Sequence, residues 1–346
     1  RVTLTELYNG TNWAETTDMS LARRNLGGAG ADNTSALAFG GEDSPAPSFA
    51  QTEHWTGAGA PIGAWATGGT MNQARYVLGG LGTPTAALAL GGDLDPGRVA
   101  SVELYNGSNW TEVNDISPTP SGRSAVAGVG TTTAGLAVGG SAAPGKLATV
   151  EYYNGTNWTE VNDLNTARSA LIATGAYPAA IAFGGHKPAL AAETEQWNGT
   201  NWTETGDLNT ARFNHGGAGT STSSIAFGGS TPPLTANTET WNGSNWTEVN
   251  NLNTAREGLK GAGADSTSAL GFGAHPPVTP GGITELWSGV SWTEVADLNN
   301  ARGFGAGDGT ATAAIYFGGQ LQTGPLTGAT EEWSGSTTVT KTVSTD

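Results

Sequence analysis

Apolar residues in this chain come in short runs cut by Gly, Asn, Thr and Pro, and no segment carries the 3.6-residue period of an amphipathic helix. One stretch shows the pattern in full. "FNHGGAG", "SSIAFGG", "TETWNG" and "NWTEV", taken in order between residues 213 and 249, are each rich in small, β-branched or aromatic residues and bounded by turn formers. They predict four strands, labelled A to D. "GTST" links A to B and "NGSN", or "NGTN" in other copies, links C to D, and both read as tight hairpins in which Asn and Gly accept positive φ.

The unit recurs. Trp13, Trp65, Trp110, Trp158, Trp202, Trp246 and Trp292 hold the same place in strand D, 44 to 52 residues apart. A glycine pair follows strand B at Gly40-Gly41, Gly91-Gly92, Gly139-Gly140, Gly184-Gly185, Gly228-Gly229 and Gly318-Gly319, with Gly273-Ala274 as the one lapse. Seven units of four antiparallel strands predict an all-β, seven-bladed β-propeller spanning residues 1–346 as one domain, with a solenoid as the alternative. A C–D pair stands at each end, "LTELYNGTNWAE" and "TEEWSGSTTVTKTV", and the last unit can take only one of them. The first keeps Trp13 whereas the second has Thr338 in its place, so residues 1–16 are expected to close the ring, leaving 329–346 as a tail or as alternative closing strands.

The order Arg, Gly-rich strand, apolar run, Gly-Gly, variable loop, Glu-x-Trp/Tyr-Asn, Asn-Trp resembles the kelch repeat over essentially the whole chain. Near-identical copies of "LNTAR" and "NGTNWTEV" look further like kelch-type proteins of marine tailed phages, a likeness that implies a virion or extracellular setting such as a tail fibre. Within the wider propeller group, kelch-fold copper oxidases need a cysteine-modified tyrosine and copper-binding histidines. Sialidase propellers carry Ser-x-Asp-x-Gly-x-x-Trp boxes. This chain has no Cys and no such box, and its four His fall at unrelated repeat positions. A non-enzymatic protein without cofactor or metal is expected.

Composition narrows the partners. Thirty acidic side chains against 14 Lys and Arg give a net charge of −16, a field that repels phosphate backbones and anionic lipid. No nucleic-acid partner and no membrane insertion are expected. No apolar run approaches the roughly 18 residues of a helical span, and no secretory signal opens the chain. The chain starts at Arg1, so an earlier natural start or a cleavage is expected.

Candidate chemistry follows from strand direction. The A–B and C–D hairpins share one end of the blades, the far face, and the B–C and D–A loops share the other, the near face. "NGTN" is therefore a repeated turn, not a site. The near-face B–C loops, from "EDSPAPSFAQT" to "QLQTGPLTGAT", differ in length and sequence, as binding loops on a rigid scaffold do. Phe49, Tyr76 and Phe213 are their candidate aromatic contacts. Arg23, Arg75, Arg123, Arg168, Arg212, Arg256 and Arg302 occur once per unit at the start of strand A, predicting a ring at the channel mouth. In animal kelch adaptors arginines at the matching position contact acidic peptides, so the resemblance makes the ring a candidate ligand site. The alternative is structural, because a Glu also recurs once per unit and each Arg can pair with one. Asp18, Asp115, Asp163, Asp207 and Asp297 read as turn-closing residues of the D–A loops, with a calcium site as the other option.

Three functions remain in view. The first is a binding propeller that recognises a protein or glycan receptor with its near face. The second is a structural module contacting neighbouring virion subunits, and the third an intracellular adaptor that needs a recruitment domain elsewhere.

Overall fold

The computed structural model describes residues 63–335, apart from 95, 119–120, 276–277, 279–280 and 323, together with strand segments within residues 1–62. Two units divide at Ile62 and Gly63. In the first, Glu6–Tyr8 pairs antiparallel with Trp13–Glu15, and Gly27–Asp32, Ser35–Phe39 and Thr52–Thr56 form a three-stranded sheet.

The second unit is a β-propeller of six four-stranded antiparallel blades. Blade 1 runs from strand A at Gly79–Thr83 through Ala86–Asp93 and Arg98–Tyr105 to strand D at Trp110–Val113. Blades 2, 3, 4 and 5 begin with strand A at Ala127–Thr131, Ile172–Ala176, Gly216–Gly219 and Lys260–Asp265, and repeat the order. Blade 6 takes its first three strands, Ala306–Thr310, Ala313–Phe317 and Thr330–Ser334, from the end of the chain. Its strand D is Ala64–Gly68, paired so that Trp333 faces Trp65.

Two expectations are thereby corrected. The ring has six blades, not seven, and its closing strand is 64–68, not a strand of 1–16; residues 330–334 are a strand of the last blade rather than a tail. The reason is local. Trp and Gly-Gly landmarks count units in the chain, not units in the ring. Thr52–Thr56 ("TEHWT") and Thr330–Ser334 ("TEEWS") offer strand 64–68 the same kind of partner. In the regular units strand C's aromatic and strand D's Trp are five residues apart, as at Trp197 and Trp202, but Trp55 and Trp65 are ten apart and lack the Asn-Gly turn. Without that short hairpin strand 64–68 is released from its sequence neighbour and pairs with the C-terminal strand.

Closure is also visible in two rings of backbone hydrogen bonds. Two residues after each Arg, the N–H of one blade donates to the carbonyl of another in the unbroken cycle Val77, Ala125, Ala170, Asn214, Gly258, Phe304, with N···O distances of 2.7 to 3.2 Å. Those six residues hold φ between 52° and 70°. That region is strained for Val77 above all, since it is β-branched, and only a closed ring that fixes both neighbours holds it there. The second ring explains the glycine pair. The N–H of Gly92, Gly140, Gly185, Gly229, Ala274 and Gly319 donates to the carbonyl of the next blade's Arg at 2.8 to 3.1 Å. A Cβ on the first glycine would sit 2.1 to 2.9 Å from that same carbonyl oxygen, so the approach requires glycine. Between the blades, buried aliphatics and tryptophans form the core, including Leu136, Leu171, Trp202, Phe227 and Trp246.

Candidate functional site

The arginines do not line the channel. Arg75, Arg123, Arg168, Arg212, Arg256 and Arg302 are 0% exposed, each inside its own blade; Arg23 lies outside the described residues. Each guanidinium pairs with the strand C glutamate of its blade: Arg75 with Glu103 at 3.1 Å, Arg123 with Glu151 at 2.8 Å, Arg168 with Glu195 at 2.9 Å, and the last three with Glu239, Glu285 and Glu331. Other guanidinium donors go to backbone carbonyls, as from Arg123 to Gly139, Ala137 and Thr149. Burial lowers the pKa of Arg123 to about 10 and Glu151 opposes the shift; burial in turn raises Glu151.

Sequence reading missed the third member of this layer. The Asn of "LNTAR" donates its backbone N–H to the glutamate's second oxygen, as from Asn165 to Glu195, Asn209 to Glu239 and Asn299 to Glu331, each at 2.7 Å. Its side-chain amide reaches the carbonyl of the strand D Trp, for example from Asn209 to Trp246 at 3.1 Å. The preceding Leu is buried. The signal was present: Leu-Asn-x-x-Arg recurs as a unit, and a buried Glu needs more donors than one Arg supplies. The motif pins the D–A loop to strands C and D, which makes it a structural clamp. Asp163, Asp207 and Asp297 accept backbone N–H groups from Val150, Thr194 and Thr284, closing turns as expected.

With the arginines buried, the near face presents other groups. Tyr76 and Phe213 are partly exposed beside the channel mouth; Phe49 lies outside the described residues. The structure adds Phe304, packed against His275 with ring centroids 4.4 Å apart and planes tilted by 42°, while His186 packs against Phe213 at 5.4 Å with a tilt of 60°. Lys146 from the B–C loop of blade 2 contacts His186 Nδ1 and donates to the Lys187 carbonyl at 2.8 Å. Burial first, then the neighbouring Lys146 ammonium, lowers the His186 pKa. Residues 146, 186, 187 and 213 thus bring two aromatic rings and two ammonium groups together on the rim, with Lys187 paired to Glu193. At the far face the C–D hairpins of blades 1 to 4 are copies. Asn106, Asn154, Asn198 and Asn242 each accept two backbone N–H groups across the turn at 2.8 to 3.0 Å.

Among the described residues no group of three or more His, Cys, Asp or Glu is arranged to hold a metal ion, and no helix is long and apolar enough to cross a membrane. No protein-family model matches the chain, and no curated protein matches it.

Proposed function

We propose that the protein is a non-enzymatic, kelch-type binding propeller that recognises a protein or glycan receptor with its near face, in a virion or extracellular setting. One observation carries this reading: the two ends of the same blades differ in kind. At the far face one C–D turn is reused in blades 1 to 4, whereas at the near face every B–C loop is different and the rim carries Tyr76, Phe213 and Phe304 partly exposed. Aromatic side chains are enriched at recognition interfaces, and Phe213 stands beside the His186–Lys146 pair. The phage likeness of the repeats supports the setting.

A glycan array probed with the whole protein, together with pull-down from the source organism, tests the proposal. Binding that falls at least about tenfold, or about 1.4 kcal/mol, in Phe213→Ala or Phe304→Ala with unchanged circular dichroism supports it. Binding that persists in both variants and is lost instead when far-face hairpins are altered sinks it. No ligand on the array or in the pull-down favours a structural module contacting neighbouring subunits.

A further inference from the structure

The six copies of strand A line the central channel, and the lining breaks pattern at two charged positions. Where blade 5 has Lys260, the matching residues are Gly79, Ala127, Ile172, Gly216 and Ala306; where blade 6 has Asp308, they are Leu81, Val129, Thr174, Ala218 and Ala262. Both side chains line a channel cavity of about 70 Å³, and Lys260 also lines the adjoining cavity of about 30 Å³ at the near-face mouth. The two differ in how they are answered. Asp308 accepts backbone N–H groups from Gly82 at 2.8 Å and Gly309 at 2.7 Å. Among the described residues Lys260 makes no ion pair and no side-chain hydrogen bond, and burial alone lowers its pKa, to about 8.

We propose that the channel holds a small monovalent anion, of chloride or formate size, against the Lys260 ammonium. Lys260 is half-buried in a channel whose lining is otherwise mostly glycine, alanine and aliphatic side chains, and the protein supplies its ammonium no counter-ion. The cavity has room for on the order of five water-sized particles, enough for an anion with part of its hydration shell. The carboxylates around the channel have donors of their own: Asp308 accepts the two backbone N–H groups, Glu257 accepts from the Asn214 amide, and the strand C glutamates are bonded to arginines. The lining is otherwise glycine, alanine and aliphatic side chains, with Thr174 the one hydroxyl of the deeper cavity, so the site selects for charge and size.

Bromide and chloride serve as probes on the full chain. Crystals soaked in sodium bromide should show an anomalous peak within hydrogen-bond reach of Lys260 Nζ. In solution, the chloride NMR line broadening produced by the protein should fall about fivefold, or roughly 1 kcal/mol, in Lys260→Met and persist in Lys260→Arg, which keeps the charge. Water alone beside Lys260 in the bromide crystals overturns the proposal. So does a bromide peak that survives in Lys260→Met, which would mean an adventitious ion only. Should Lys260→Met fail to fold, the native bromide map and Lys260→Arg decide between the same outcomes.

Discussion

Blades 4 and 6 are built from the same four strands and held together differently. Blade 4 is continuous, its C–D turn fixed by Asn242. Blade 6 joins the two ends of its unit, with Thr330–Ser334 paired to Ala64–Gly68 and no covalent turn between them. Yet the buried layers are the same. Asn209, Glu239 and Arg212 in blade 4 are matched by Asn299, Glu331 and Arg302 in blade 6, and the amide of Asn299 reaches the Trp65 carbonyl at 2.9 Å as that of Asn209 reaches Trp246. The clamp between loop, strand C and strand D therefore does not depend on how C and D are connected. It is the device that lets a blade be assembled from distant segments.

The largest test breaks that clamp in both blades. Arg212→Ala and Arg302→Ala each leave a 0% exposed glutamate unpaired, and each should lower stability by about 3–5 kcal/mol. Denaturant unfolding measures it. Similar losses at the two sites show that the two-piece blade is clamped as firmly as the continuous one; a much smaller loss at Arg302 breaks the comparison. The double replacement Arg212→Met with Glu239→Met should cost less than Arg212→Ala alone, because it leaves no buried charge without a partner.

Next comes a pH effect confined to blade 4. His215 takes the place held by Leu78, Val126, Leu171 and Leu259 in four other blades and by Gly305 in blade 6. Both its ring nitrogens are buried without a partner; burial first, then the charges of Arg212, Lys260 and Arg168, hold its pKa well below 6.5. The unfolded chain takes up a proton there near pH 6.5 that the folded chain refuses. Stability is complete above that pH and falls below it, by about 1.4 kcal/mol per pH unit. Asp308, raised by burial to about 6, acts with the opposite sign as pH rises from 3.8 to 6, so the informative quantity is native minus variant. The difference between His215→Leu and the native protein should grow as pH drops from 6.5; a difference independent of pH removes His215 as the cause.

Smaller still is the turn itself. Asn242→Ala removes the acceptor of two backbone N–H groups and should cost about 1 kcal/mol by thermal unfolding. Blade 6 shows that the pairing survives without any such turn, so a loss above about 2 kcal/mol would mean that the hairpin, rather than the clamp, holds strand D.

These contrasts also show what the sequence could and could not reveal. Strand order, hairpins and the propeller class were legible, because short apolar runs joined by Asn-Gly turns and recurring with one long period have few other solutions. Blade number was not. It depended on whether strand 64–68 stays with Thr52–Thr56 or moves to Thr330–Ser334, two strands of nearly the same sequence, and on a link five residues longer than its counterparts. The arginine–glutamate pairing was visible as co-recurrence, but burial was not, since a charge at the start of an inner strand can point to the channel or into the blade. Lys260 and His215 were hidden because each is a single departure from a repeat and makes no motif.

The smallest prediction uses a defect that the repeat itself repairs elsewhere. In blades 4 and 6 the strand D indole donates to a threonine at the start of strand C in the preceding blade, from Trp246 to Thr194 at 2.9 Å and from Trp65 to Thr284 at 3.1 Å. In blade 3 the same indole, of Trp202, is buried and has no partner, and the residue in the threonine position of blade 2 is Val150; Trp158 is orphaned in the same way opposite Val102. The missing hydroxyl is therefore the cause, and it lies in a different blade from the group it leaves unsatisfied. Val150→Thr is close to isosteric and 0% exposed, so it loses some apolar burial while giving Trp202 an acceptor and its own hydroxyl a partner. A net gain of about 0.5–1.5 kcal/mol is expected. Pairing it with Trp202→Phe in a double-mutant cycle isolates the bond: the threonine should stabilise the native protein and destabilise the Trp202→Phe background, where its hydroxyl has no donor to accept from. Equal effects in both backgrounds would mean that the indole N–H was never the group in need.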